Sequence, residues 1–366
     1  MAAQGDPAGR AGWCRRVLPR APGLLPFVDL SRQALHERDD LLEAVSRVLA
    51  SGRYVLGPEI EAFEVEFAAF TGQRHCIAVS SGAAALALSL TAVGVGPGDE
   101  VILPAFTAVP TAAAVCSIGA VPVFVDVLQG TATMDPAAAA RALTERTRAV
   151  VPVHLFGRPC HVPGLGVPVV EDAAQAHGAV PSSPSAAVAY SFYPTKNLGG
   201  VGDGGAVVTD DDTVASELRL LRAHGFRSPA DCIRVAMNAR MSEIEAAVLR
   251  IRLGGLAAGN ARRREIAGRY RQASPHLAWQ DPHPDHVFHL CVARVPHRAA
   301  FRATLGVPSD VHYPKAVPDY PPYRPFARDA CVASQAWARE CVSLPCHPFM
   351  TETEVDDVAE ALARTV

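Results

Sequence analysis

The chain is almost devoid of lysine: of 34 Lys and Arg residues, only Lys196 and Lys315 are lysines. Arginine serves for surface charge and ion pairs, but its guanidinium keeps its proton and cannot act as an amine nucleophile. The scarcity therefore marks the two remaining amines as candidates for work that only an amine performs, such as Schiff-base formation with a carbonyl compound. No Cys-x-x-Cys pair occurs among the nine cysteines. Their odd number and irregular spacing exclude a disulfide framework and predict reduced thiols in a cytoplasmic protein. No apolar run approaches the roughly 18 residues that a spanning helix needs, so no membrane partner is expected. Residues 1–23 are rich in Ala, Gly, Pro and Arg and lack the continuous apolar stretch of a signal peptide, which predicts a disordered tail or a misassigned start. A net charge of −3 lacks the basic footprint of a nucleic-acid binder.

What is present is apolar residue, at 49% enough for a substantial core. Between Ile77 and Val208 short apolar runs alternate with helical stretches, the pattern of an α/β domain with a mostly parallel sheet. Strands are predicted at 77–79, 100–103, 121–125, 149–153, 167–170, 188–192 and 205–209. Helices are predicted at 82–93, 107–118 and 136–143. Ser242, with Glu245 three residues on, caps a helix to Leu253, and another follows over 262–271. Proline and histidine rise beyond residue 255, where a strand at 287–295 and helices at 298–305 and 354–365 predict a smaller C-terminal domain. The expected division is a tail (1–23), a large domain (24–254, its N-terminal part able to pack on the small domain) and a small α+β domain (255–366).

Three features fall at successive strand ends, where open α/β sheets place ligands. In Val79-Ser80-Ser81-Gly82-Ala83 a strand runs straight into a helix, presenting free amides and a positive dipole end to an anion. In Val169-Val170-Glu171-Asp172-Ala173-Ala174-Gln175-Ala176-His177-Gly178 an apolar strand delivers two carboxylates, one of which can enter the cleft and keep a heteroaromatic nitrogen protonated. The third is Tyr190-Ser191-Phe192-Tyr193-Pro194-Thr195-Lys196, followed by a glycine run that feeds a strand rather than opening a helix and so is no dinucleotide fingerprint. Anion cradle, acid and lysine match the phosphate, ring nitrogen and aldehyde of pyridoxal 5'-phosphate.

With these motifs the chain resembles the DegT/DnrJ/EryC/StrS sugar aminotransferases, fold-type I pyridoxal phosphate enzymes. The resemblance runs from Pro26-Phe27-Val28-Asp29-Leu30, through Gly52-Arg53-Tyr54-Val55-Leu56-Gly57-Pro58, to Leu344-Pro345-Cys346-His347-Pro348. It implies a three-layer large domain, and a homodimer with shared sites. Lys196 would join the cofactor aldehyde and shuttle a proton, Asp172 would pair with the ring nitrogen, and Gln175 would touch the ring or its hydroxyl. Ser81, Gly82, Ala83 and Ser191 would hold the phosphate, and Asn238 would reach the phosphate in the neighbouring subunit. Tyr193, His312 and Tyr313 would lie on the substrate side. Lys315 could meet a substrate phosphate or stay solvated.

The implied reaction moves an amino group from an amino acid, most often glutamate in this family, to a keto sugar linked to a nucleotide. Pyridoxamine phosphate is the intermediate form. Dehydrating relatives carry His at the position of Lys196, so its presence favours transamination. Departures from the family pattern are Ala108 for a stacking aromatic ring, Ala83 for Thr, Ala236 for Gly and Pro318 for His. The stretches 157–166 and 179–188 are shortened. These keep two alternatives open: the same chemistry on a non-nucleotide ketone such as a keto-cyclitol, and a non-catalytic partner module. His283, His286 and His289 are not expected to bind metal, because Pro284 breaks a helix there and an extended segment splits His286 and His289 between faces. The Arg262–Arg264 run is expected to be a solvated helix face.

Overall fold

Strand alternation sends the apolar residues of the large domain to two faces of one sheet. The computed structural model describes residues 25–179 and 185–365; the expected tail at 1–23 lies outside them. In chain order come α1 (Leu30–His36), α2 (Arg38–Ser51), α3 (Pro58–Thr71), β1 (His75–Val79), α4 (Gly82–Ala92), β2 (Glu100–Pro104), α5 (Val109–Ser117) and β3 (Val121–Val125). Next are α6 (Pro136–Arg141), β4 (Thr147–Val150), β5 (Val170–Asp172), β6 (Ala187–Ser191), β7 (Gly205–Thr209), α7 (Asp212–Leu221) and a short hairpin of β8 (Phe226–Ser228) and β9 (Asp231–Cys232). Then follow α8 (Glu243–Leu253), α9 (Leu256–Ala273), β10 (Ala278–Trp279), β11 (Cys291–Arg294), α10 (Arg298–Thr304), α11 (Val332–Glu340), β12 (Cys341–Leu344) and α12 (Glu352–Ala363).

β3, β2 and β4 pair in parallel, and β5, β6, β7 and β1 pair in that order. Parallel bridges Val150–Val169 and Val153–Asp172 join β4 to β5, giving the order β3-β2-β4-β5-β6-β7-β1. Only β7 runs against its neighbours, so the mostly parallel expectation holds. Ile77, Val79, Ala189 and Val207 join Leu86, Leu90 and Leu218 of α4 and α7 in the core on one face. Cys76, Ala78, Val188, Tyr190 and Val208 join Phe63, Phe67 and Leu249 of α3 and α8 on the other. Three layers result.

The small domain packs α9 and α12 on the antiparallel sheet β10-β11-β12, with Ile266, Tyr270, Leu344, Val355 and Leu362 inside. Leu25 packs against this core, and Arg32 makes a two-pronged ion pair with Glu354 at 2.7 and 2.8 Å. The first described residues thus pack against the core of β10-β11-β12 and α12. Helix α9 carries Leu256 into the large-domain core and Tyr270 into the small one.

Three expectations need correction. The strand expected over 287–295 is only Cys291–Arg294, because Phe288 has φ +44° and its amide donates to Nδ1 of His286, making a turn. The strand expected at 167–170 sits later, at Val170–Asp172. The helix expected at 262–271 is α9, which starts at Leu256. Residues 158–169 contain no helix, as the shortened stretch implies.

Buried Glu243 secures the N-terminus of α3 from another element. Its carboxylate accepts from the amides of Gly57 (2.7 Å), Glu59 (2.8 Å) and Ile60 (3.3 Å), donors with no partner inside the helix. Glu243→Ala strands them, so urea unfolding is expected to show a loss of roughly 3 kcal/mol. A loss below about 1 kcal/mol would mean water or a shifted helix end replaces the carboxylate.

Candidate active site

A cavity of about 370 Å³ opens at the mouth of the sheet, and the ends of β1, β5 and β6 each put one group into it. At the end of β1, Ser81 Oγ accepts from the Ala84 amide (3.1 Å) and starts α4. The earlier amides, at Gly82 and Ala83, have no acceptor within the helix and line the cavity. Gly82 is required by contact: a Cβ there would stand 2.5 Å from the Cβ of Ser191. Gly205 likewise faces the Ser81 carbonyl, which a Cβ would approach to 2.3 Å. The glycines thus bring β1, β6 and β7 close enough for Ser81 and Ser191 to border one space. Ser191 Oγ accepts from the Tyr193 amide (3.4 Å), leaving its own proton to donate.

The end of β5 divides its two carboxylates between faces. Glu171 turns away and meets His154 Nε2 at 2.6 Å; the imidazole's Nδ1 accepts from the Cys160 amide, so Nε2 carries the proton. Asp172 turns in and is 5% exposed. Its oxygens accept from Thr111 Oγ1 (2.8 Å) and the Ala174 amide (3.1 Å). Burial pushes its carboxyl up from the ordinary range, while these bonds and the Lys196 charge pull it back toward ionisation.

Beyond β6, Lys196 is set by a turn whose amide donates to the Tyr193 carbonyl (2.8 Å). Burial lowers its ammonium from 10.5 to about 8, against the opposing pull of Asp172. Gln175 is clamped at both ends: its Oε1 accepts from the Phe156 amide (2.6 Å) and its Nε2 donates to Tyr313 Oη (2.9 Å). Ala108 caps α5 with an extended backbone and lines the cavity through a methyl group only.

Of the sequence-derived candidates, Ser81, Gly82, Ala83, Ala108, Asp172, Gln175, Ser191, Tyr193, Lys196 and Tyr313 line this one cavity. His312 lines an adjoining chamber with Lys196 and Tyr313, its Nδ1 2.9 Å from Ser343 Oγ. Lys315 is not brought in: it is exposed, with its ammonium 5.5 Å from the Tyr320 ring. Asn238 lies outside the chain's own cavity, exposed and accepting from Arg240 Nε at 2.9 Å. His286 is a core histidine, bonded to Gln280 Oε1 (2.9 Å) and stacked on Phe288.

Sequence reasoning missed Thr111, which holds Asp172 from the first turn of α5, and the His154–Glu171 pair beneath it. Thr111 had one available signal, its place one turn beyond Ala108. The Arg262–Arg264 expectation fails at its centre, because Arg263 is 7% exposed. The middle of α9 passes between the core that holds Leu256 and the core that holds Ile266 and Tyr270, and Arg263 faces inward there.

This strand order, with a lysine after β6 and an acid at the end of β5, defines a fold-type I architecture. The chain belongs to the DegT/DnrJ/EryC1/StrS aminotransferase family, whose model matches residues 36–363. It is 42% identical over 360 residues to the "Erythromycin biosynthesis sensory transduction protein EryC1" of Saccharopolyspora erythraea, covering 92% of this chain and 98% of that protein. It is 40% identical to the "dTDP-3-amino-3,4,6-trideoxy-alpha-D-glucose transaminase" of Streptomyces venezuelae, covering 92% and 95% of the two chains. The crystal structure of S. venezuelae DesV in complex with a ketimine intermediate matches with a TM-score of 0.88 at 39% identity, over 93% of this chain and 98% of that one.

Proposed function

We propose that the chain is a pyridoxal 5'-phosphate aminotransferase that moves an amino group from an amino acid to a keto sugar carried on a nucleotide, in glycan or antibiotic-sugar biosynthesis. The observation that carries the reading is the convergence of Lys196, Asp172 and the free amides of α4 on one cavity. The donor set fits the cofactor: a helix start whose Gly82 lies too close to Ser191 for any Cβ, a buried carboxylate and an amine of lowered basicity. When bound, the cofactor supplies an aldehyde to join the amine and a ring that draws electrons from the reacting carbon.

The residues divide the remaining work. Gly82, Ala83, Ser81 and Ser191 hold the phosphate at the positive end of α4. Asp172, locked by Thr111, would hold a proton on the ring nitrogen. Gln175 would contact the cofactor ring or its hydroxyl, Ala108 would offer only a methyl group beside it, and Lys196 would take and return the proton at the reacting carbon. Tyr193, His312 and Tyr313 face the substrate. In a homodimer the exposed Asn238, beside exposed Val235 and Met237, would meet the phosphate of the neighbouring site. The described cysteines are free thiols, which supports a cytoplasmic setting. No described helix is long and apolar enough to cross a membrane.

The reading is tested by mixing cofactor-free protein with pyridoxal 5'-phosphate across pH and following protein-bound absorbance. Only the neutral amine attacks, so uptake is expected to accelerate as pH rises through about 8 and then level off. Failure to retain absorbance after excess cofactor is removed would refute the assignment.

A further inference from the structure

Arg263 is the only buried arginine among the described residues, and there no carboxylate pairs with it. The nearly as secluded Arg252, Arg222 and Arg294 show the usual remedy: each faces a carboxylate, of Glu37, Glu64 and Glu340. Arg263 has only the carbonyls of Cys346 and Phe288, both on Nη1, which leaves the rest of its donor fork unused. A buried cation without a counterion is costly, and one that borders an open chamber is a place for an anion. Arg263 borders two such chambers, and Lys196, Thr195 and Val28 line both of them.

A second observation points the same way. His347 is 2% exposed, lines the outer chamber, and neither ring nitrogen has a hydrogen-bond partner. Burial and the Arg263 charge hold its imidazole below its ordinary value, at about 4, so it is neutral and offers one N–H. The acids nearby are otherwise engaged or peripheral. Asp29 accepts from the Arg32 amide, Glu37 pairs with Arg252, and Asp310 sits at the rim, 57% exposed, near His312.

Whatever the donor's own side chain, three anions must be accommodated in the proposed reaction. The cofactor phosphate belongs at α4, among Ser81, Gly82 and Ser191, none of which lines either chamber. The diphosphate of a nucleotide sugar is bulky and several bonds from the aminated carbon. The α-carboxylate of an amino acid is attached directly to the carbon whose proton Lys196 must take. An anion site that shares Lys196 with the cofactor cavity fits this last group alone.

We propose that Arg263, with His347 beside it, binds the α-carboxylate of the amino donor; this rests on the aminotransferase reading. Arg263 thereby selects an amino acid over a simple amine and positions its α-carbon toward Lys196.

The test uses the cofactor-loaded enzyme, with glutamate for the first half-reaction and maleate as a carboxylate that cannot react. In Arg263→Gln the KM for glutamate is expected to rise about thirtyfold, with the maximal rate changed less than about threefold, the size of one lost charge-assisted contact. Calorimetric maleate binding, present in the parent, should disappear. Arg263→Lys should recover part of both, and it serves if the glutamine variant fails to fold. A variant that folds and binds cofactor yet keeps the parent's glutamate KM and maleate affinity would overturn the proposal while leaving the aminotransferase reading intact. A fall in maximal rate and melting temperature with unchanged KM would overturn it too, by assigning Arg263 to the support of the Cys346 carbonyl. Absence of bound cofactor in the parent protein would instead sink the underlying reading.

Discussion

Lys196→Arg is expected to leave a folded protein that binds pyridoxal 5'-phosphate weakly and transaminates at least roughly 10⁴-fold more slowly, the upper end of what a positioned proton-transfer group contributes. The substitution keeps a cation beside Asp172, so the buried carboxylate is not stranded and stability should change little. What disappears is an amine able to lose its proton near neutrality. In the parent, burial has already brought the group to about 8, whereas a guanidinium stays charged at any usable pH. Borohydride treatment followed by peptide mapping should place the cofactor on the segment containing Lys196 in the parent and nowhere in the variant. Attachment at Lys315, the other lysine, would redirect the assignment; its exposed position on the Tyr320 ring argues against that.

The parts of this site that were legible in the sequence are those whose chemistry is local. Ser81-Gly82, Asp172 and Lys196 each stand at the end of a short apolar run, and a strand followed by a polar turn is visible from composition alone. The strands of the large sheet were found for the same reason, their burial being continuous on both faces in β2 and β7 and nearly so in the others. The helices α2 and α3 were not, since α2 buries only Ala44 and Val48, and α3 is capped by Glu243 from a distant segment. Thr111 and the His154–Glu171 pair are long-range partners, and a hydroxyl 61 residues from its carboxylate leaves no local mark. Arg263 misled for a related reason. Its neighbours Arg262 and Arg264 make the run look solvated, and only the packing of α9 between two cores turns the middle residue inward.

Asp172→Asn is expected to separate the shape of the site from its charge. The amide is the same size as the carboxylate, and the hydroxyl ladder below it can adapt. Asparagine Nδ2 would donate to Thr111 Oγ1, which would then donate to Thr107 Oγ1, 3.1 Å away in the parent, while Oδ1 keeps the Ala174 amide. Melting temperature should therefore change little, since a carboxylate whose burial is unfavourable has been replaced by a neutral group and buried Lys196, no longer drawn toward its charged form by Asp172, can release its proton. Activity should nonetheless fall by roughly 10²–10³-fold, the scale of removing one preorganised electrostatic partner from a site. No group then holds a proton on the ring nitrogen, and the electrons released at the reacting carbon lose their sink. The two half-reactions should fall together, because both need the same ring, whereas Arg263→Gln should affect only the steps that involve the amino acid or its keto product. Equal losses from both substitutions in both half-reactions would mean that Asp172 and Arg263 act through the fold and not through separate contacts with cofactor and donor.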